Sequence, residues 1–326
     1  MNTPESLEEL LADPGVVGAS IAVGTAAGIE VAAWGETRYD TGQPMTPATV
    51  LQIGSMTKLY TATLVVQLVE EGQLSLDDPL RMHVPEFQPK DEELARRITV
   101  ADLLSHTSAL QSDFIADTGR GDDCLARFVE ECDGIEQGVP GLGYEYCNAG
   151  YVLLGRLVEK LTGDTWDAAL ATRILARAGL TQTMTLPEEV LLHENATGHF
   201  PDDHGGWATA PVWSVPRVGG PAGTICATAA DVVRFIDAFD GLVRPDTRAQ
   251  MQSALVEVPG SDGAEQCGLG WHRRHFAGRD LVGHTGGNMG QGGMVWHDPT
   301  NGRTVCLLVN GLRDMAYLDR ILEALL

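Results

Sequence analysis

Ser55 and Lys58 stand three residues apart in the stretch Ile53-Gly54-Ser55-Met56-Thr57-Lys58, at the head of a long apolar run. A serine hydroxyl is a weak nucleophile until a base takes its proton, and an amine is a base only when neutral. At helical spacing, positions i and i+3 share a face, so the two groups meet if a helix starts here. The run that follows, MTKLYTATLVVQLVEE, holds no Gly or Pro, and Gly72 stands where a helix C-terminal glycine belongs. Its apolar positions cover most of the helical circumference, which predicts a helix buried in the protein. Burial disfavours the ammonium form of Lys58 and so favours the base. The plain structural alternative is an N-cap serine followed by a solvated lysine. Against it, the chain has only three lysines, at 58, 90 and 160, to set beside its ten serines.

Two further polar clusters punctuate the chain. Tyr144-Glu145-Tyr146-Cys147-Asn148 precedes the helical pattern AGYVLLGRLVEKLTG, where Asn148 reads structurally as an N-cap and Tyr146 as a hydrophobic staple. Gly283-His284-Thr285-Gly286-Gly287 ends a predicted strand, and alone reads as a glycine-rich turn.

The elements that must position these groups follow from periodicity. Residues 5–12 predict a short amphipathic helix, and 17–23 with 29–34 a β-hairpin. Residues 50–53 lead into the Ser55 helix. Residues 73–216 alternate Pro-, Gly- and Asp-rich loops with helices at 99–105, 123–133, 149–162 and 165–178, so an all-helical subdomain is expected there. Helices at 229–240 and 246–255, strands at 268–273, 281–284, 293–297 and 304–310, and a helix at 315–325 complete the chain. The expected fold is α/β (α+β): one antiparallel sheet from residues 1–72 and 217–326, flanked by helices, with the 73–216 subdomain across an interfacial active site.

A chain of 326 residues, 44% hydrophobic and 21% charged, has the composition of a globular protein with a sizeable core. Its net charge of −23 repels nucleic acid and anionic membranes, so neither is an expected partner. The N-terminal stretch has no basic region followed by an apolar one, and the expected location is cytoplasmic. The six cysteines, at 124, 132, 147, 226, 267 and 306, contain no Cys-x-x-Cys and read as core or reduced thiols.

Taken in order, a Ser-x-x-Lys at a helix start, a Tyr-x-Asn and a late His-Thr-Gly resemble the penicillin-recognising serine hydrolases of the β-lactamase and DD-peptidase superfamily. The match is closest to the branch with class C β-lactamases, Streptomyces-type DD-peptidases, D-aminopeptidases and carboxylesterases. Ala101-Asp102-Leu103-Leu104-Ser105-His106-Thr107-Ser108-Ala109-Leu110 is similar to the family's LLTHTSGL, and the likeness runs from about residue 15 to the C-terminus. It implies a β-lactamase/transpeptidase-like fold, with Ser55 as nucleophile and Lys58 and Tyr146 sharing its proton. It also implies an oxyanion hole from the backbone N–H groups of Ser55 and Gly287. Asn148, His284, Thr285 and Gly286 are then substrate-binding, with no metal or organic cofactor and a small-molecule or peptide acyl substrate. Class C β-lactamases carry Lys-Thr-Gly where this chain has His284. Arg273, Arg274 and Arg279 are the cations available to replace that charge.

The expected activity is hydrolysis of a small amide or ester through a Ser55 acyl-enzyme. Acyl transfer, peptide cyclisation and β-lactam hydrolysis are alternatives on the same machinery. From other classes, His193, His199 and His204 with Asp202 and Asp203 offer a metallohydrolase reading without helical i, i+4 ligand spacing. The five glycines of 286–293 offer a phosphate loop without the following helix or Gly-Lys-Ser/Thr ending. A non-catalytic binding protein on the same fold is the remaining class.

Overall fold

The computed structural model describes residues 6–89, 92–110, 116–131 and 143–326. Lys90, Cys132 and the ends of the helices expected at 5–12 and 123–133 lie outside the described residues. Eight strands form one antiparallel sheet: β1 (Gly18–Thr25), β2 (Gly28–Gly35), β3 (Val256–Glu257), β4 (Glu265–Cys267), β5 (His272–Phe276), β6 (Arg279–Asn288), β7 (Gln291–Asp298) and β8 (Arg303–Val309). Their order is β2-β1-β8-β7-β6-β5-β4-β3, so the N-terminal hairpin is joined to the C-terminal strands by the β1–β8 pairing, with Ile21 opposite Leu307.

Period-two alternation sends the central strands' side chains to two cores. Val295, Cys306 and Leu308 face the larger core, with helices α1 (Thr57–Glu70), α2 (Asn148–Thr162) and α3 (Ala229–Leu242). Met294, Trp296, Val305 and Leu307 face the smaller one, covered by α4 (Ala316–Leu325) and the helix Leu7–Leu11. Strands this apolar on both faces must be covered twice: α1, α2 and α3 cover one face, and helices from the two ends of the chain cover the other.

Helix α1 is the centre of the larger core. Every residue from Thr57 to Leu68 is buried, Lys58 included. It ends as its sequence predicts: Gly72 adopts φ +73°, and the N–H of Gln73 donates to the Leu68 carbonyl, closing the last turn.

Two local departures from expectation have tertiary causes. The strand expected at 268–273 is broken, because Gly270 takes φ +80° and brings the backbone so close to α1 that a Cβ there would lie 2.4 Å from the Ala62 Cβ. The stretch 73–216, expected to be all-helical, also holds short strands at Thr183–Met184, His199–Pro201 and Trp207–Thr209. The first pairs with Cys226–Ala227, which pairs in turn with Leu51–Gln52, the strand leading into Ser55. Two-residue strands carry no periodicity to detect; they exist because distant partners supply the hydrogen bonds. Among the described residues, no helix is long and apolar enough to cross a membrane.

Candidate active site

A 3₁₀ turn, Gly54–Met56, turns the chain from the strand into α1 and presents Ser55 at the head of that helix. Lys58 Nζ lies 3.1 Å from Ser55 Oγ, 2.8 Å from Asn148 Oδ1 and 2.8 Å from the Ala222 carbonyl oxygen. The last two partners only accept hydrogen bonds. A neutral amine has two N–H groups and one lone pair. If those N–H groups serve Asn148 and Ala222, the lone pair is left for the Ser55 hydroxyl. Burial also lowers the Lys58 pKa from 10.5 to about 7, against a smaller opposing influence of Cys147. Geometry and desolvation therefore favour the same protonation state.

Asn148 reaches this amine because it is not the helix cap. The cap is Cys147, whose Sγ accepts from the Gly150 N–H at 3.2 Å, and Asn148 is the first residue of α2. The N-cap role expected for Asn148 is thus taken by its neighbour, and its amide is directed across to α1.

Tyr146 is held by a residue to which the sequence motif assigned no role. His106, buried and at φ +60°, stacks on the Tyr146 ring with centroids 4.4 Å apart and an interplanar angle of 29°. Its Nδ1 accepts from the Cys147 N–H at 3.0 Å, and its carbonyl accepts from the Glu145 N–H at 2.7 Å. The segment 145–147 is thereby gripped on both sides of Tyr146. Accepting at Nδ1 assigns the ring proton to Nε2, and burial, with Lys58 nearby, holds the His106 pKa well below the ordinary histidine value. Lys58 Nζ stands 4.7 Å from the Tyr146 ring centroid.

The opposite wall is β6. Its His284-Thr285-Gly286-Gly287 segment lies within a ten-residue strand, not at a strand end, and Gly286 and Gly287 pair with Gly293 and Gly292 of β7. The glycines answer a spatial demand. A Cβ on Gly286 would lie 2.0 Å from the Ile53 oxygen and 2.8 Å from the Ser55 nitrogen, and one on Gly54 would lie 2.4 Å from the Gly287 nitrogen. Only backbone without side chains brings the Ser55 turn and the Gly287 strand this close.

His284 is buried, and its Nδ1 contacts the Thr285 carbonyl as donor. Burial, with His272 and Lys58 nearby, keeps its pKa well below the usual histidine value, so it is neutral near pH 7. His272, which carried no sequence signal, lies beside it with ring centroids 4.5 Å apart, its Nδ1 2.8 Å from Glu265 Oε1. The three arginines considered as replacements for a lysine at 284 are engaged elsewhere. Arg274 pairs with Asp319, Arg279 with Asp298, and Arg273 reaches the Gln252 carbonyl.

Ser55, Tyr146, His272, His284, Thr285, Gly286 and Gly287 all line one cleft of about 760 Å³. Lys58 lies beneath Ser55, and Asn148 beside it. The loop histidines are not assembled as a metal centre. The His199 ring is bonded at both nitrogens, to the Asn310 carbonyl oxygen at 2.8 Å and the Tyr39 N–H at 3.2 Å. Among the described residues, no group of three His, Cys, Asp or Glu side chains is arranged to hold a metal ion.

A helix-flanked antiparallel sheet with a serine and a buried lysine at the head of its central helix defines the class of the serine β-lactamases and penicillin-binding proteins. The Beta-lactamase family model matches residues 5–326. Penicillin-binding protein 4 of Amycolatopsis lactamdurans is 41% identical over 320 residues, covering 94% of this chain and 84% of that protein. A D-aminopeptidase of Brucella anthropi is 27% identical over 297 residues, covering 87% of this chain but only 55% of that enzyme, so the chain spans about half its length. Among solved structures, a D-amino acid amidase from Ochrobactrum anthropi SV3 superposes with a TM-score of 0.83 at 26% identity, covering 97% of this chain and 96% of that one. An octameric penicillin-binding protein homologue from Pyrococcus abyssi gives the same TM-score and identity, covering 97% and 75%. The chain belongs to the beta-lactamase family of serine hydrolases.

Proposed function

We propose that the chain hydrolyses small amides or esters, D-amino-acid derivatives foremost, through an acyl-enzyme on Ser55. The observation that carries this is the Lys58 amine, buried and shared between two acceptors on one side and the Ser55 hydroxyl on the other. In the first step the Ser55 Oγ–H proton passes to the Lys58 amine as Oγ bonds to the substrate carbonyl carbon. The backbone N–H groups of Ser55 and Gly287 stabilise the resulting oxyanion. As the tetrahedral adduct collapses, the bond to the leaving amine or alkoxide breaks and that group takes a proton relayed from Lys58 through the Tyr146 phenol. Water then attacks the ester carbonyl carbon and gives a proton to the same relay; the acyl–Oγ bond breaks, the carboxylic acid is released, and the relay passes that proton to Oγ. Asn148 holds the amine, while His284, Thr285 and Gly286 line the acyl site without a fixed cation.

The D-amino-acid preference draws on the D-aminopeptidase and D-amino acid amidase relatives. In the same reading, the cleft lies between a sheet subdomain, 1–72 with 217–326, and a mostly helical one, 73–216. The substrate is a small molecule or peptide rather than nucleic acid, and the location is cytoplasmic. The buried thiols of Cys124, Cys226, Cys267 and Cys306 suit a reducing compartment. The test is a panel of p-nitrophenyl esters, D- and L-amino-acid amides and nitrocefin. Turnover of D-amides or esters that Ser55→Ala abolishes supports the proposal; wild-type rates in that variant refute it.

A further inference from the structure

The β6–β7 hairpin turns through two residues, Met289 and Gly290, between the paired Asn288 and Gln291. Both turn residues have positive φ, +47° and +75°, the pattern of a type I′ turn. Asn-Gly is the sequence such a turn favours. A long unbranched side chain at its first position is a departure from local preference, and such departures concentrate at functional sites. The turn is also wedged in place: a Cβ on Gly198 would lie 1.8 Å from the Met289 oxygen, and one on Gly290 would lie 2.6 Å from the His199 nitrogen. The chain thus holds Met289 at a fixed point, two residues beyond Gly287.

At that point Met289 borders two cavities. One is the cleft that holds Ser55; the other, of about 380 Å³, has Leu186, Pro187, Val212 and Val215 among its walls. Phe200 in the first and Val212 in the second are large apolar side chains left 45% and 53% exposed. Met289 lines both cavities, so its thioether adds apolar surface to the wall that begins at the Gly287 strand. Methionine is the side chain best able to mould itself to an aromatic or branched group placed there.

We propose that Met289 is a specificity-determining residue, the apolar wall against which the side chain of the acyl donor packs, so that donors with aromatic or other large apolar side chains are selected over alanine-sized ones. This rests on the reading of the Ser55 cleft as the substrate site. It adds the substrate feature the cleft discriminates and the residue that reads it.

The test measures binding without chemistry. N-acetyl-D-phenylalaninamide and N-acetyl-D-alaninamide are titrated calorimetrically into the full Ser55→Ala chain, alone and combined with Met289→Asn or Met289→Leu. Met289→Asn installs the residue pair the turn prefers, so folding is not at stake. The expected result is binding of the phenylalanine ligand at least about tenfold tighter than the alanine ligand. Met289→Asn brings that ratio near one, and Met289→Leu retains most of it. The proposal is overturned if the ratio survives Met289→Asn, or if the parent binds neither ligand or both equally. Turnover by the chain with Ser55 intact is measured separately. A methionine-dependent preference without turnover refutes the Ser55 mechanism and leaves this inference standing; turnover without the preference does the reverse.

Discussion

Asn148 Oδ1 lies 2.8 Å from Lys58 Nζ, joining the first turns of two helices whose residues are 90 positions apart. An amide oxygen accepts a hydrogen bond from the amine in either protonation state, but it brings no negative charge to favour the ammonium. With a Lys58 pKa of about 7, kcat/KM rises with pH through a limb near that value. Asn148→Asp puts a carboxylate against the amine and raises its pKa. The acid limb then moves to higher pH, with activity at pH 7 down by about tenfold or more and recovering in alkaline buffer. A pH–rate profile checks this, and an unmoved limb counts against Lys58 as the base.

The same shift couples to stability. Unfolded, Lys58 titrates at its ordinary 10.5; folded, at about 7. Between those values the unfolded chain holds a proton that the folded chain lacks, so this group's contribution to stability rises with pH across that window. It is lowest below pH 7, where the folded site must bury an ammonium. The stability of the wild type relative to Lys58→Met, measured by urea unfolding at pH 7 and pH 9, should therefore increase at the higher pH. A difference that is flat or falls places the amine in a hydrated site.

His106 acts on Tyr146 through packing and through the Cys147 N–H. His106→Ala removes the acceptor and the stacked ring and leaves alanine at positive φ. Its kcat is expected to fall about a hundredfold, the scale of an ångström-sized displacement, with KM little changed. Asn tolerates positive φ and offers Oδ1 where Nδ1 stood, so His106→Asn should recover most of kcat. Steady-state kinetics on both variants separate this from a general loss of folding, which lowers the active fraction without the asparagine rescue.

Gly286 has an ordinary φ, yet its Cβ position is filled by the Ile53 oxygen. Gly286→Ala must push β6 away from the Ser55 turn and so disturb the Ser55–Gly287 pair of N–H groups. A loss of about 10² to 10³ in kcat is expected, the cost of one oxyanion donor. Gly278→Ala is the control for a glycine with open space around it, since its strain is confined to a positive-φ turn in the same sheet. Equal kcat in the two variants would contradict the role given to Gly286.

How much of this was legible beforehand depended on range. The proximity of Ser55 and Lys58 is a matter of helical spacing within four residues. The burial of Lys58 follows from the apolar circumference of α1, and the hairpin 18–35 from two β-type runs on either side of a glycine-containing turn. Interactions set by distant packing were not legible. That Cys147 rather than Asn148 caps α2 depends on where Lys58 lies, and the companionship of His272 with His284 depends on the β5–β6 register. The strand break at Gly270 depends on Ala62, and the pairing of 183–184 on 226–227. His106 lay within a motif that the family likeness supplied, but its grip on residues 145–147 depends on a carbonyl and a ring nitrogen meeting a segment about forty residues away.

Catalysis here requires acylation of Ser55 with Lys58 as its base. This requirement is tested most directly by intact and peptide mass spectrometry after exposure to a fluorophosphonate and to a slowly turned-over D-amino-acid ester. A single adduct is expected, on the peptide containing Ser55. That adduct should be absent in Ser55→Ala, and in Lys58→Met its formation should be slowed by about 10² to 10⁴, the scale of general-base loss. An adduct on another residue, or equal labelling in Ser55→Ala, contradicts it.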